Sequence, residues 1–351
     1  MTSTKYLFKP GDVLYSKLRP YLRKVALVDF RGLCSADMYP IEVDPEALDP
    51  TFLKYLLLSD GFSDYADDAS RRARMPKLNR QQLFTWRTAI PPVPEQRRIA
   101  ESLHEKLAAA ARMRAAAAVQ LATTDRLIEA ELRDAFRGIL PLAVGGARDL
   151  APDGWAWHLL AELARLESGH TPSRRHPEWW GGSIPWLALP DIRELDCQVA
   201  QETTETTNEQ GIANSSARVL PAGTVVLSRT ASVGFVAMMG RPMATSQDFV
   251  NWVCGPDLDP TFLMYLLRAS REYVRQLSSG AIHKTVYVPT VKAFAVCIPD
   301  ASEQIRVAAK LQARLTTLGK IRTRLDDQAA DVSRLPAALL RSAFSGDSPD
   351  N

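Results

Sequence analysis

The sequence predicts an α+β fold: two mixed α/β modules, the first of them partial, separated by a long antiparallel two-helix coiled coil. Two long stretches carry most of that prediction. Glu95–Gly138 and Glu303–Gly346 both open with Glu-Gln-x-Arg, both close with Ala-Phe-x-Gly, and stand 208 residues apart at each end. Within each, apolar residues return in steps of three and four. They are Ile99, Leu103, Leu107, Ala110, Ala117, Leu121 and Ile128 in the first, and Val307, Leu311, Leu315, Leu318, Leu325, Val332 and Leu339 in the second. That spacing marks an amphipathic helix, and kept up over this length it marks a coiled-coil seam. At ~1.5 Å per residue each helix is on the order of 65 Å long. No small domain could cover such a stripe, so each stripe is expected to lie against the other. The expected seam is Ile99, Leu103, Leu107 and Leu121 with Val307, Leu311, Leu315, Leu318 and Leu325.

The elements follow in order. Asp12–Tyr15 and Lys24–Asp29 read as short strands, with Pro20 between them. Leu48–Ser59 reads as a helix opened by Asp49-Pro50-Thr51, an acidic cap followed by proline in the first turn. An acidic segment (Asp60, Asp64, Asp67, Asp68) gives way to a basic one (Arg71, Arg72, Arg74, Lys77). The prolines of Ala89–Pro94 close the first module at residue 92, and the long helix is expected after them, over 93–138. Residues 139–153 read as a Gly/Pro/Asp linker. The second module spans 154–300, with strands expected at Thr224–Ser228, Phe235–Met239 and Asn251–Val253 and a helix at Pro260–Gln276. The second long helix covers 301–346, and 347–351 is expected to be a disordered tail.

The repeat reaches beyond the helices. Leu48–Leu57 (LDPTFLKYLL) matches Leu258–Leu267 (LDPTFLMYLL) at nine of ten positions. Gly11-Asp12-Val13-Leu14 matches Gly223-Thr224-Val225-Val226-Leu227, and Ala89-Ile90-Pro91 matches Cys297-Ile298-Pro299. The offset drifts from 212 to 208, as changes in loop length produce. A unit of globular module followed by long helix has been duplicated. Residues 154–212 of the second edition have no counterpart in the first.

Composition narrows the classes. An apolar share of 46% suits a core-building chain, and a net charge of +3 does not by itself demand a polyanionic partner. Cys34, Cys197, Cys254 and Cys297 are scattered, which fits free thiols in a reducing cytoplasm. The longest apolar tract, Ala108–Val119, is interrupted by Arg112 and Arg114, so no membrane span is expected. The sequence lacks three common catalytic signatures. No lysine has Glu or Gln two positions ahead of it, there is no Asn-Pro-Pro-Tyr or Asp-Pro-Pro-Tyr, and Gly319-Lys320 lacks a glycine-rich loop. His104, His158, His170, His176 and His283 are dispersed, and Asp191 with Glu194 reads as a cap, so no metal site and no catalytic residue is expected.

These motifs, in this order, resemble the specificity (S) subunit of type I restriction-modification systems. The residues that carry the resemblance are Glu95-Gln96-Arg97-Arg98-Ile99 after a proline-rich strand end; Gly154-Trp155; Gly169-x-Thr171-Pro172-Ser173; Trp180-Gly181-Gly182-x-Ile184-Pro185-Trp186 with Asp191-Ile192; and the Gly-led strands at 11 and 223. The resemblance implies that each module is a target-recognition domain reading one half of a split sequence in double-stranded DNA. It implies that the two helices act as a ruler, and that modification subunits, two of them, dock along it. Restriction subunits with translocase and nuclease activity can join. S-adenosylmethionine, ATP and Mg belong to those partners, and none is expected on this chain. The departure is the first module, which lacks the Gly-x-Thr-Pro-Ser to Ile-Pro-Trp half. Two other readings follow: a shortened remnant that binds modification subunits without reading a full site, and a repeat scaffold that does not bind DNA. An autonomous nuclease is disfavoured by the missing chemistry.

DNA reading calls for Lys and Arg on phosphates and for Arg, Asn, Gln, Ser or Thr on base edges. The candidates are Lys17 and Arg19 with their repeat partners Arg229 and Thr230; Arg71, Arg72, Arg74 and Lys77; His283, Lys284 and Thr285 opposite that run; and Arg174 after Thr-Pro-Ser. Residues 1–90 carry 14 cations against 11 acids, whereas 139–300 carry 13 against 16. The second module is net acidic, so its DNA face must be a local patch.

Overall fold

The computed structural model describes residues 5–70, 76–145, 148–279 and 284–344. The chain divides into two compact units, one of residues 1–122 with 323–351 and one of residues 123–322. Both long helices contribute to both units.

In unit 1 the chain forms β1 (Lys5–Phe8), β2 (Val13–Ser16), β3 (Val25–Leu27), β4 (Gly32–Ser35) and β5 (Met38–Ile41). β2 lies between β3 and β5, antiparallel to both, with Val13 facing Leu27 on one side and Ile41 on the other. β1 and β4 pair separately. Then come α1 (Pro50–Leu56), α2 (Asp60–Ser70), α3 (Arg80–Thr85) and α4 (Val93–Ala135). Asp49 caps α1 by accepting from the backbone N–H groups of Thr51 and Phe52, each at 2.9 Å. Asn79 and Gln82 form a reciprocal capping box on α3. The core joins Val13 and Tyr15 of β2 to Leu53, Leu57, Phe62, Ala66, Leu78 and Leu83.

Unit 2 begins with the end of α4 and continues through β6 (Leu142–Val144), β7 (Ala156–Leu159), α5 (Leu160–Leu163), β8 (Ala164–Ser168), β9 (Trp180–Leu187), α6 (Leu189–Glu194), β10 (Val199–Ala200), β11 (Glu205–Thr207) and α7 (Glu209–Ala213). It goes on through β12 (Val225–Ser228), β13 (Val236–Met239), β14 (Ala244–Thr245), β15 (Phe249–Cys254), α8 (Pro260–Ala269), α9 (Arg271–Gln276), α10 (Val288–Lys292), β16 (Phe294–Ile298) and the start of α11 (Ala301–Phe344). The central sheet has five strands in the order β10-β13-β12-β15-β8. β12 repeats β2, with Val225 facing Met238 and Trp252 as Val13 faces Leu27 and Ile41. The outer strands β8 and β10 come from 154–212, the stretch without a counterpart in residues 1–90. Burial differs accordingly. Trp252 and Val250 are fully buried, whereas their equivalents in β5, Ile41 and Tyr39, are half-buried, and Leu33 in β4 is 67% exposed.

The α+β class holds, three details correct the sequence reading, and one agrees with it. The helix expected over Pro260–Gln276 is two helices, α8 and α9, parted at Ser270 (φ −91°, ψ 7°). The linker 139–153 contains β6, which pairs with β16. α4 starts at Val93, so Pro94 lies inside its first turn, where the missing N–H has no helical partner to lose. Asp191 does act as a cap: Oδ2 accepts from the Ala188 N–H at 2.9 Å, and Oδ1 accepts from the Thr204 N–H and hydroxyl at 2.8 and 2.6 Å.

The long helices pair within each unit. In unit 2, Asp125, Glu131 and Arg137 on and just after α4 meet Arg322, Arg314 and Glu303 of α11 respectively, so the helices run antiparallel. Leu132 and Phe136 share a core there with Ala308 and Leu311, flanked by Val307 and Leu315. In unit 1, Ile99, Ala100, Leu103 and Leu107 pack with Leu339, Leu340, Ala343 and Phe344 and with Phe52, Tyr55 and Leu56 of α1. Leu121, Leu318 and Leu325 are half-buried.

The Glu-Gln-x-Arg motif has a structural task in both editions. Gln96 is 1% exposed and Gln304 is fully buried. The Gln96 side chain accepts from the Asp49 N–H at 2.8 Å and donates to the carbonyls of Ala47 (3.1 Å) and Pro91 (2.8 Å). The Gln304 side chain accepts from the Asp259 N–H at 2.9 Å and donates to the carbonyls of Asp257 (3.0 Å) and Pro299 (2.9 Å). Each glutamine therefore ties the start of a long helix to the capping residue of its module's LDPTF helix.

Candidate nucleic-acid interface

The candidate residues that follow β2 and β12 sit in loops of the same construction. In unit 1 the Arg19 N–H donates to the Pro76 carbonyl at 2.9 Å and the Leu78 N–H donates to the Lys17 carbonyl at 2.9 Å. In unit 2 the Ala231 N–H donates to the Lys284 carbonyl at 3.1 Å and the Val286 N–H to the Arg229 carbonyl at 2.8 Å. The turn needs one left-handed residue, supplied by Arg19 (φ 52°) and Ala231 (φ 58°). A further bond is matched: Lys17 N–H to Asp37 O at 3.0 Å, and Arg229 N–H to Asp248 O at 2.9 Å. The pairing of 17–19 with 76–78, and of 229–231 with 284–286, thus joins residues far apart in sequence at one spot in each module.

Unit 2 adds two loops to that spot. Arg229 Nη2 donates to the Gln247 carbonyl at 2.9 Å, and the Thr171 hydroxyl donates to Gln247 Oε1. The 169–171 turn reaches this place because Gly169 lies against the 245–246 backbone; a Cβ there would stand 1.9 Å from the Ser246 carbonyl oxygen. Arg229, Thr230, Lys284 and Thr285 are therefore brought together, with Thr171 and exposed Gln247 beside them. Arg193 and Arg275 approach from another side, in a recess shared with Lys284. Sequence reading missed Gln247, Arg193 and Arg275. No motif carries them, and they reach the spot only through the sheet and the packing of α6 and α9.

Other candidates are placed differently. Lys17 is 7% exposed, its ammonium 3.9 Å from Asp37 Oδ1 and 5.1 Å from the Tyr39 ring centroid, so it is a buried structural cation and not a surface contact. Arg19 and Lys77 are exposed beside it. Arg174 is not among the residues gathered at Arg229. It makes two 2.6 Å bonds to Glu205 and lies 3.7 Å from the Trp180 ring centroid. The hydrogen bond to Glu205 raises the Arg174 pKa, and Arg174 in turn holds the Glu205 carboxyl below its usual range. This cation is already neutralised by its own module. Arg71, Arg72, Arg74 and His283 lie outside the described residues. Among the described residues, no group of three or more His, Cys, Asp or Glu could hold a metal ion, and no helix is long and apolar enough to cross a membrane.

A globular module followed by a long helix, made twice, defines a class: a duplicated two-module scaffold. Residues 152–326, about half of the chain, match the type I restriction modification DNA specificity domain. The chain belongs to the specificity-subunit family of type I restriction-modification systems. Among curated relatives it is 39% identical over 140 residues to the EcoDI specificity subunit of Escherichia coli, covering 40% of this chain and 31% of that one. It is 27% identical over 162 residues to the MjaIX specificity subunit of Methanocaldococcus jannaschii, covering 46% and 38%. These two matches thus span about a third of the relatives' length. The HindI specificity subunit of Haemophilus influenzae aligns more widely, at 23% identity over 79% of this chain and 74% of that one. Two solved structures share the fold. One, from work on complex assembly and conformational transition of the type I R-M system, has a TM-score of 0.77 at 22% identity over 99% of this chain and 85% of the other. The HsdS subunit of Thermoanaerobacter tengcongensis has 0.60 at 20% identity over 98% and 91%.

Proposed function

We propose that this chain is a DNA sequence-specificity subunit that reads a bipartite target, one half by each module. In this reading it presents DNA to modification subunits, which carry adenine methyltransferase chemistry, and to restriction subunits. The observation that carries the reading is the matched loop pair. The same backbone bonds and the same left-handed residue recur in both modules, and they gather cations and hydroxyl groups in one of them. The paired helices support the bipartite half of the reading. Sites along B-DNA rotate with helical phase, so two readers need a stiff spacer, and a flexible linker of equal reach would fix neither distance nor phase. The DNA contacts proposed are Arg19 and Lys77 in unit 1, and Arg229, Thr230, Gln247, Lys284 and Thr285 in unit 2. Arg71, Arg72, Arg74, Arg174 and His283 remain proposals on sequence grounds alone.

A second reading keeps DNA recognition in unit 2 only, the chain otherwise serving to bind modification subunits. The three-stranded sheet of unit 1 and the burial of Lys17 favour it. The test is Arg229→Glu with Lys284→Glu, made in the complex with a modification subunit. Site binding is expected to vanish at physiological salt while the subunits still copurify. Retained site binding removes this face from the account.

A further inference from the structure

One recess on unit 2 is lined by cations without a carboxylate, although its module is net acidic in sequence. Arg193 of α6, Arg275 of α9 and Lys284 converge with Ala231, Ser232, Val233, Phe235 and Ser278 around a cavity of about 410 Å³. The cations come from three places in the sequence. Arg193 Nε donates to the Ser232 hydroxyl at 2.7 Å, and Arg275 Nε donates to the Val233 carbonyl at 3.2 Å. Arg275 Nη1 also pairs with Glu272 at 2.6 Å, one turn back on its own helix. Among the described residues, Arg193 and Lys284 have no carboxylate partner. The hydroxyl groups of Ser232 and Ser278 also line it, that of Ser278 donating to the Arg275 carbonyl at 2.6 Å.

The geometry points to a seat for a backbone phosphodiester of DNA. A tetrahedral, singly charged group needs several convergent donors and no competing acid, which is what guanidinium and ammonium groups with hydroxyls provide. The recess shares Ala231 and Lys284 with the loop pair that carries Thr230 and Thr285. A phosphate here would therefore fix the strand's register against those side chains without reading sequence. Among the described residues, unit 1 has no equivalent of it. By the repeat, Ala231, Ser232 and Val233 correspond to Arg19, Pro20 and Tyr21, Lys284 corresponds to Pro76, and Arg193 has no counterpart. The seat also gives the net-acidic module the local cationic patch it needs. This inference rests on the DNA-reading proposal above, but its test separates the two.

The test uses Arg193→Gln with Arg275→Gln in the complex with a modification subunit, measuring affinity against salt for target and non-target duplexes. Each phosphate contact contributes about 0.9 to the slope of log affinity against log salt. The variant is expected to lose about one unit of slope and to weaken on target and non-target alike, leaving the sequence preference unchanged. An unchanged slope overturns the inference, and so does a changed preference with the slope intact. In a second arm, inorganic phosphate is titrated into the full chain alone. Phosphate binding lost in the variant, with an unchanged DNA slope, makes this a small-anion site and also overturns it. If the unaltered complex shows no sequence preference, the proposed function fails, while the slope on non-specific DNA still decides the phosphate seat.

Discussion

Gln96 and Gln304 each hold the start of a long helix to its module through three hydrogen bonds. A buried amide that satisfies one N–H and two carbonyl groups leaves all three stranded when it is removed. We expect Gln304→Ala to destabilise the protein by about 3 kcal/mol, read as a lowered denaturant midpoint with an unchanged slope. A loss under about 1 kcal/mol would mean that water replaces the amide at no cost, and the tie between helix and module would not be structural. The motif was legible in the sequence as Glu-Gln-x-Arg, but its purpose was not. The partners at Asp257, Asp259 and Pro299 lie up to 47 residues away and meet it only in the folded module. Lys17 teaches the reverse. As a lysine before Leu-Arg it reads as a surface cation, but the sheet turns it against Asp37 and Tyr39.

At the scale of elements, the helices were the most legible part of the chain, because a period of three and four survives any loop. α11 even runs on through Pro336, whose missing N–H costs the helix about 3 kcal/mol in isolation. Packing of Leu339, Leu340, Ala343 and Phe344 against α1 and α4 offsets that cost within unit 1. Shorter elements were less legible. The break at Ser270 carries no proline or glycine, and β6 hides in a stretch whose composition reads as linker. The seam gives a direct prediction. Leu107→Asp with Leu315→Asp buries carboxylates where Leu107 meets the α11 end in unit 1 and where Leu315 meets the unit 2 core. The double variant should part the helices and lose the modification subunit on copurification. Normal copurification would show that the pairing of α4 with α11 is not what holds that partner.

For the whole molecule, the repeat predicted two editions of one design, and the shared loop construction bears that out down to single hydrogen bonds. The sequence also showed that 154–212 has no counterpart in the first edition, but not what that stretch builds. The stretch 154–212 gives unit 2 its outer strands, its glycine-dependent 169–171 turn and Arg193, and among the described residues the loop cluster and the cationic recess are found in unit 2. The central proposal is that the chain reads DNA at two places, one in each module. Selecting bound duplexes from a pool of random sequence, with the complex of this chain and a modification subunit, tests it most directly. The account predicts enrichment of two short blocks of fixed bases at one constant spacing; a single block, or no enrichment, would contradict it.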